Sequence, residues 1–157
     1  SKTKKFAVLS TPFTANTLYQ KYLIEEFANG CSALNIGCDT IVEQIEEGNT
    51  HSRVMEKKLR RILRPVVQGG CDIIALGCTH FAFIRPLIEH IVGTGITVID
   101  SGPAVARHVA RILTHNSLLA TTTKPTHLFV TTGDHVKVRD MATKLLGRRI
   151  RVKHQSI

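Results

Sequence analysis

Tryptophan is absent from this 157-residue sequence, and six phenylalanines and two tyrosines hold the aromatic content at 5%. So few rings leave little on which single-stranded bases could stack. Nucleic-acid binding is therefore not expected, although the net charge of +9 invites it. No apolar run approaches the ~20 residues that cross a bilayer, so a membrane span is excluded. The four cysteines, Cys31, Cys38, Cys71 and Cys78, show no C-x-x-C spacing, which argues against a structural zinc site. The basic start Ser1-Lys2-Thr3-Lys4-Lys5 leads straight into Phe6-Ala7-Val8-Leu9, too short an apolar stretch for a secretory signal. A cytoplasmic location with free thiols is expected. Cys31 and Cys71 are read as small buried hydrophobes.

What is present is alternation. Strand-like segments fall at Phe6–Ser10, Ser32–Ile36, Asp72–Leu76, Gly95–Asp100, His127–Thr131 and Arg149–His154. Helical patterns fall between them, at Thr17–Ala28, Ile41–Glu47, Thr50–Val67, after Cys78, at Ser101–Leu113 and at Val136–Leu146. The clearest is Thr50–Val67, where Met55, Leu59, Ile62, Leu63 and Val66 line one face and Pro65 lies near the end. Thr114–Thr126 is rich in Thr, Ser and Asn and reads as a surface loop. The order predicts an α/β fold with a parallel sheet flanked by helices.

The chemistry concentrates at Leu76-Gly77-Cys78-Thr79-His80-Phe81. A buried strand precedes it, and a helix with Pro86 in its opening turn follows. Ligands of open α/β sheets bind at such strand ends. A thiol near a helix N-terminus ionises more readily there, and the thiolate is the reactive form. Ser10-Thr11-Pro12-Phe13-Thr14 is a second strand end, whose hydroxyls and free amides suit a carboxylate or phosphate or serve as ordinary helix caps. Glu46-Glu47-Gly48, just past Cys38, reads on its own as a solvated helix end.

Together these segments resemble the glutamate racemase branch of the cofactor-independent aspartate/glutamate racemase family. Gly77-Cys78-Thr79-His80 before an aromatic is similar to the family's GCTH. Thr11-Pro12-Phe13-Thr14 with Tyr19 downstream is similar to its T-P-x-T…Y, and Cys38…Val42…Glu46-Glu47-Gly48 to its C-x-x-L-V-x-x-x-E-x-G. Val98-Ile99-Asp100-Ser101 and Thr131-Thr132-Gly133-Asp134 resemble a later strand-turn and a T-S-G-D. Asp39, Thr40, Glu43 and Gln44 stand where the family tends to be apolar or proline.

The resemblance implies a two-domain enzyme with its active site between α/β domains. Residues 1–100 would form the domain carrying Cys78. Residues 101–157 would be a helix, linker and strand-helix-strand segment returning to the partner domain. The family's first half, with its D-S-G segment and a second catalytic cysteine in a C-N-T context, has no counterpart here. The implied activity is two-thiol racemisation of L-glutamate to D-glutamate for peptidoglycan synthesis, without cofactor or metal. The implied catalytic residues are Cys78, His80 and Glu46; Thr11, Thr14 and Thr79 would bind substrate. The isolated chain is expected to be inactive, and a homo-oligomer is expected. The alternatives are an inactive oligomerising or ligand-binding module, a Cys78–His80 nucleophilic enzyme and a salt-sensitive nucleic-acid module.

Overall fold

The apolar run after the basic start forms β1 (Lys5–Ser10), the inner strand on which the main sheet is built. A computed structural model describes residues 1–28, 30–121 and 124–156. β2 (Ser32–Gly37), β3 (Ile73–Leu76) and β4 (Thr97–Asp100) complete a parallel sheet in the order β2-β1-β3-β4. The register pairs Ser10 with Gly37 and Leu9 with Leu76, so three strands end level.

Parallel neighbours need crossovers, and these are right-handed. The chain passes from β1 to β2 through α1 (Pro12–Asn16) and α2 (Leu18–Phe27). It returns over β1 to β3 through α3 (Ile41–Glu46) and α4 (Arg53–Gln68). It reaches β4 through a 3-10 segment, Thr79–Ile84, and α5 (Arg85–Val92). The first step runs across the sheet in one direction and the other two in the opposite direction. Handedness therefore puts α2 on one face and α4 with α5 on the other.

Burial follows that division. Ala7, Leu9, Ile74, Leu76 and Val98 are buried on the α4/α5 face. Met55, Leu59, Leu63 and Val66 of α4 join them, spaced for one helical face, together with Ile88 of α5. Ile62, read as part of that face, is only half-buried at its margin. Ser52 starts α4 by accepting a 3.1 Å hydrogen bond from the Met55 amide. On the α2 face, Phe6, Val8, Ile73 and Ala75 are half-buried and Ile99 is 46% exposed.

After β4 come α6 (Ser101–His115), β5 (Phe129–Thr131), α7 (His135–Leu146) and β6 (Val152–His154). β5 and β6 form a separate parallel pair, Phe129 opposite Val152 and Thr131 opposite His154. Asp134 caps α7 by accepting from the Val136 and Lys137 amides at 2.9 and 3.1 Å, which holds its carboxyl below the usual range. Two compact units result: Ser1–Ile45 with Asn49–Ala104, and Glu46–Gly48 with Val105–Ile157.

The expected α/β class with a parallel sheet flanked by helices is what forms. Local details differ. The helix expected from Thr17 is preceded by a short one, α1, which starts at Pro12 because Thr11 caps it and Pro12 needs no amide partner in its first turn. Phe83 and Ile84, read as α-helical, lie in the 3-10 segment; α5 begins only at Arg85, with Pro86 in its first turn. Asp100 caps α6, since its Oδ1 accepts the Gly102 amide at 2.9 Å. α6 runs to His115, so the expected loop starts at Asn116; its residues 122 and 123 lie outside the described residues. Cys71 is buried as expected, and burial raises its thiol pKa, but Cys31 is only half-buried.

Leu59 is 1% exposed at the middle of the buried α4 face. Leu59→Ala should cost about 2–5 kcal/mol in urea unfolding, the range for truncating a packed leucine. Ser10 is fully buried, and its hydroxyl has no hydrogen-bond partner among the described residues. Ser10→Ala is expected to leave stability unchanged or raise it by about 1 kcal/mol, because an unsatisfied buried group is removed. A lower urea midpoint for Ser10→Ala would contradict this.

Candidate active site at the carboxyl edge of the sheet

The level ends of β1, β2 and β3 bring Thr11, Cys38 and Cys78 to one edge of the first unit. Two main-chain hydrogen bonds extend the ladder there, from the Cys38 amide to Ser10 O at 2.8 Å and from the Gly77 amide to Leu9 O at 2.7 Å. Glycine stands on both sides of Ser10, with no room for a Cβ at Gly37 and little at Gly77. A Cβ at Gly37 would come within 2.9 Å of Pro12 Cα, and one at Gly77 within 3.3 Å of Leu9 O and Ser10 Cβ. A side chain at Gly37 would push α1 away from the strand ends.

Cys78 leaves β3 in an extended conformation, φ −133° and ψ 134°, and caps the 3-10 segment. Its carbonyl accepts the Phe81 amide at 3.1 Å. Its side chain is half-buried, so the sulfur is not sealed in the core. His80 turns back toward it, with Nδ1 3.9 Å from Cys78 Sγ. An i, i+2 pair need not converge, but the tight 3-10 turn brings this one together. Thr79 is exposed beside it.

Thr11 and Thr14 also meet, Oγ1 to Oγ1 at 2.9 Å. Thr11 Oγ1 accepts the Thr14 amide at 3.3 Å, so this pair caps α1. Thr17 repeats the arrangement for α2, accepting from the Gln20 amide at 3.1 Å. Both threonines of the α1 pair are half-buried. Glu46 ends α3, is exposed, and is grouped with the second compact unit.

Two features of this edge were not singled out from sequence. Cys38 is 2% exposed, and burial, reinforced by the charge of Cys78, pushes its thiol up to about 12. It is held as a neutral thiol, with Sγ 3.8 Å from Ile36 O. Its place at the end of the strand next to β1 was the available signal. The second is Asp100, which holds Arg85 Nη1 at 2.7 Å while capping α6. Arg85 also bonds Glu89 at 2.8 Å, and these two partners raise its pKa. The ion pair ties the start of α5 to the end of β4 and so fixes the far end of the segment carrying Thr79 and His80. Among the described residues no group of three His, Cys, Asp or Glu side chains could hold a metal ion, and no helix is long and apolar enough to cross a membrane.

A sequence profile described as Asp/Glu/Hydantoin racemase matches residues 1–109. The glutamate racemase of Pseudomonas paraeruginosa is 37% identical over 116 residues, 74% of this chain and 44% of its own length. That of Ralstonia pickettii is 35% identical over 147 residues, covering 94% of this chain and 52% of its own. The glutamate racemase isoform RacE1 of Bacillus anthracis superposes with a TM-score of 0.87 at 25% identity, over 100% of this chain and 59% of that one. The Francisella tularensis glutamate racemase, solved with D-glutamate, superposes with a TM-score of 0.83 at 24% identity, over 98% of this chain and 58% of its own, and shares the fold. The chain belongs to the Asp/Glu/hydantoin racemase family. It matches the C-terminal part of the glutamate racemases and spans about half the length of the curated relatives it matches.

The raised Cys38 thiol predicts a pH effect. Its folded pKa, about 12, exceeds the 9.0 of a free thiol. The unfolded chain therefore releases this proton first, and the Cys38 contribution to stability, complete below pH 9, is lost as pH rises toward 12. Urea midpoints should fall between pH 8 and pH 11 less steeply in Cys38→Ala than in the wild type. Equal slopes would show that Cys38 is not buried as a thiol.

Proposed function

We propose that this chain supplies one half of a cofactor-independent glutamate racemase, with Cys78 as one of two proton-transferring thiols. The observation that carries this reading is a half-buried cysteine at the end of β3 with an imidazole nitrogen 3.9 Å from its sulfur. Family membership and the glutamate racemase relatives support the reaction class.

Inverting an α-carbon requires a proton to leave one face and another to arrive on the opposite face. A single side chain does not reach both, so two acid/base groups must flank the carbon. Cys78, as thiolate, takes the α-proton on its face and becomes a thiol. A second thiol, from the part of the relatives that this chain does not match, returns a proton to the other face and becomes a thiolate. In the reverse direction the roles exchange, and no net proton is consumed. A sulfur acid suits this work because its ordinary pKa lies within reach of the working pH.

His80 assists by hydrogen bonding Cys78 Sγ, which stabilises the thiolate and gives the proton a relay. Thr79 and the Thr11–Thr14 pair bind substrate carboxylates with hydroxyls and helix-end amides. Glu46 tunes protonation or meets the substrate ammonium. The product, D-glutamate, feeds peptidoglycan synthesis, and the work is done in the cytoplasm with neither cofactor nor metal. The isolated chain is inactive in this reading, because one thiol cannot serve two faces.

A non-enzymatic module that self-associates or binds ligand is the second reading. The exposed Phe13, Leu18, Tyr19 and Phe27, each at least 70% accessible, favour it.

Exchange of the α-proton of glutamate in heavy water tests the proposal. The chain alone should show none, and the chain combined with a racemase first half should show exchange. Cys78→Ser in the combined enzyme should lower the rate at least about a hundredfold, the scale of losing a positioned acid/base group. Exchange by the chain alone would overturn the two-half requirement; none in the combined enzyme would overturn the racemase reading.

A further inference from the structure

Six of the chain's 21 lysines and arginines stand on α4: Arg53, Lys57, Lys58, Arg60, Arg61 and Arg64. Glu56 is the only acid of that helix, so its 16 residues carry more than half of the net charge of +9. Two of the six cations are engaged. Arg60 Nη2 bonds Glu56 Oε1 at 2.7 Å, and Lys58 donates to Thr40 Oγ1. Arg53, Lys57, Arg61 and Arg64 are exposed, and none of them has an ion-pair partner among the described residues. These four fall at i, i+4, i+8 and i+11, so they share one helical face, turned away from the buried Met55, Leu59, Leu63 and Val66. At 1.5 Å of rise per residue the stripe is about 17 Å long. A hollow of about 310 Å³ beside its second half is lined by Arg60, Arg64 and Gln68, with Leu63, Val67 and Ile91.

We propose that this outer face of α4 docks the phosphate backbone of double-stranded DNA, without regard to sequence. Taking unpartnered cations out of water is costly, so the face fits an anionic partner and not an apolar one. A DNA duplex carries one charge per ~1.7 Å of its axis, so a straight stripe of about 17 Å meets several phosphates at once. Each lysine or arginine that meets a phosphate releases a condensed counterion, and that release supplies the affinity. Phosphate contacts hold a duplex in place without reading its bases. Single strands need aromatic rings to stack on, and α4 has none. The scarcity of rings in the whole chain therefore argues against single strands and leaves a duplex backbone untouched. Basic helices that lie on lipid sink their apolar face into the bilayer. The apolar face of α4 is already packed on the sheet. The stripe lies over a face of the sheet and Cys78 at its carboxyl edge, so the DNA surface is separate from the thiol and stands whether or not the racemase reading does.

The test titrates a fluorescein-labelled DNA duplex, two helical turns long, with the 157-residue chain and follows anisotropy over a series of salt concentrations. Wild type should bind with a micromolar dissociation constant at about 50 mM salt and weaken steeply as salt rises. The triple variant Arg53→Glu, Arg61→Glu, Arg64→Glu should bind at least about tenfold more weakly, with a salt slope shallower by about 3. The control is Arg148→Glu, Arg149→Glu, Arg151→Glu in the tail, which changes the net charge equally. It should weaken binding by about threefold at most, because salt screens charges that do not touch the duplex. Circular dichroism shows whether each variant keeps its fold. Should the α4 reversal unfold, the neutral triple Arg53→Gln, Arg61→Gln, Arg64→Gln takes its place and should lose at least about threefold in affinity. No binding by the wild type overturns the proposal. So does equal loss in the α4 and tail variants, since net charge alone then attracts the duplex. Equal affinity for a single strand of the same sequence, or tighter binding to phosphatidylserine vesicles than to the duplex, overturns it too.

Discussion

The parallel register of β1 with β2 and β3 is the constraint on which the site depends. Ser10 faces Gly37, and Leu9 faces Leu76, so the three strands finish together. A slip of one residue would invert every side chain on the slipped strand. Ala7, Leu9, Ile74 and Leu76 would then leave the core, and the register is held by the apolar area they bury. Because the strands finish together, a threonine pair, a buried thiol and a half-exposed thiol share one edge. The glycines beside Ser10 let the ends approach closely enough for this to happen.

The turn after β3 converts that placement into chemistry. A 3-10 segment rises faster and winds tighter than an α-helix, and here it folds His80 back over Cys78. The Asp100–Arg85 ion pair restrains the other end of the turn from the neighbouring strand. The two cysteines of the edge are thus placed in opposite environments. Cys38 is packed in the core and kept protonated by burial, while Cys78 stands at the margin within reach of solvent and an imidazole.

The same fold is lopsided. The α4/α5 face is closed, and the α2 face is apolar and partly bare.

Much of this was legible in the chain. The strand–helix alternation gives the parallel sheet, since β-rich runs separated by helical stretches can pair only through crossovers. The spacing of Met55, Leu59, Leu63 and Val66 gives the buried face of α4. GCTH at a strand end gives the thiol and its neighbours. Local sequence did not show that a helix would begin as early as Pro12, that Asp100 would hold Arg85, or that Cys38 would be sealed. Burial and the pairing of Asp100 with Arg85 depend on residues that the chain separates. Sequence determines periodicity and residue chemistry, which are properties of neighbours along the backbone. Only the tertiary structure decided which thiol is dry, which imidazole bends toward sulfur and which sheet face stays open, because those follow from packing between segments that the chain separates.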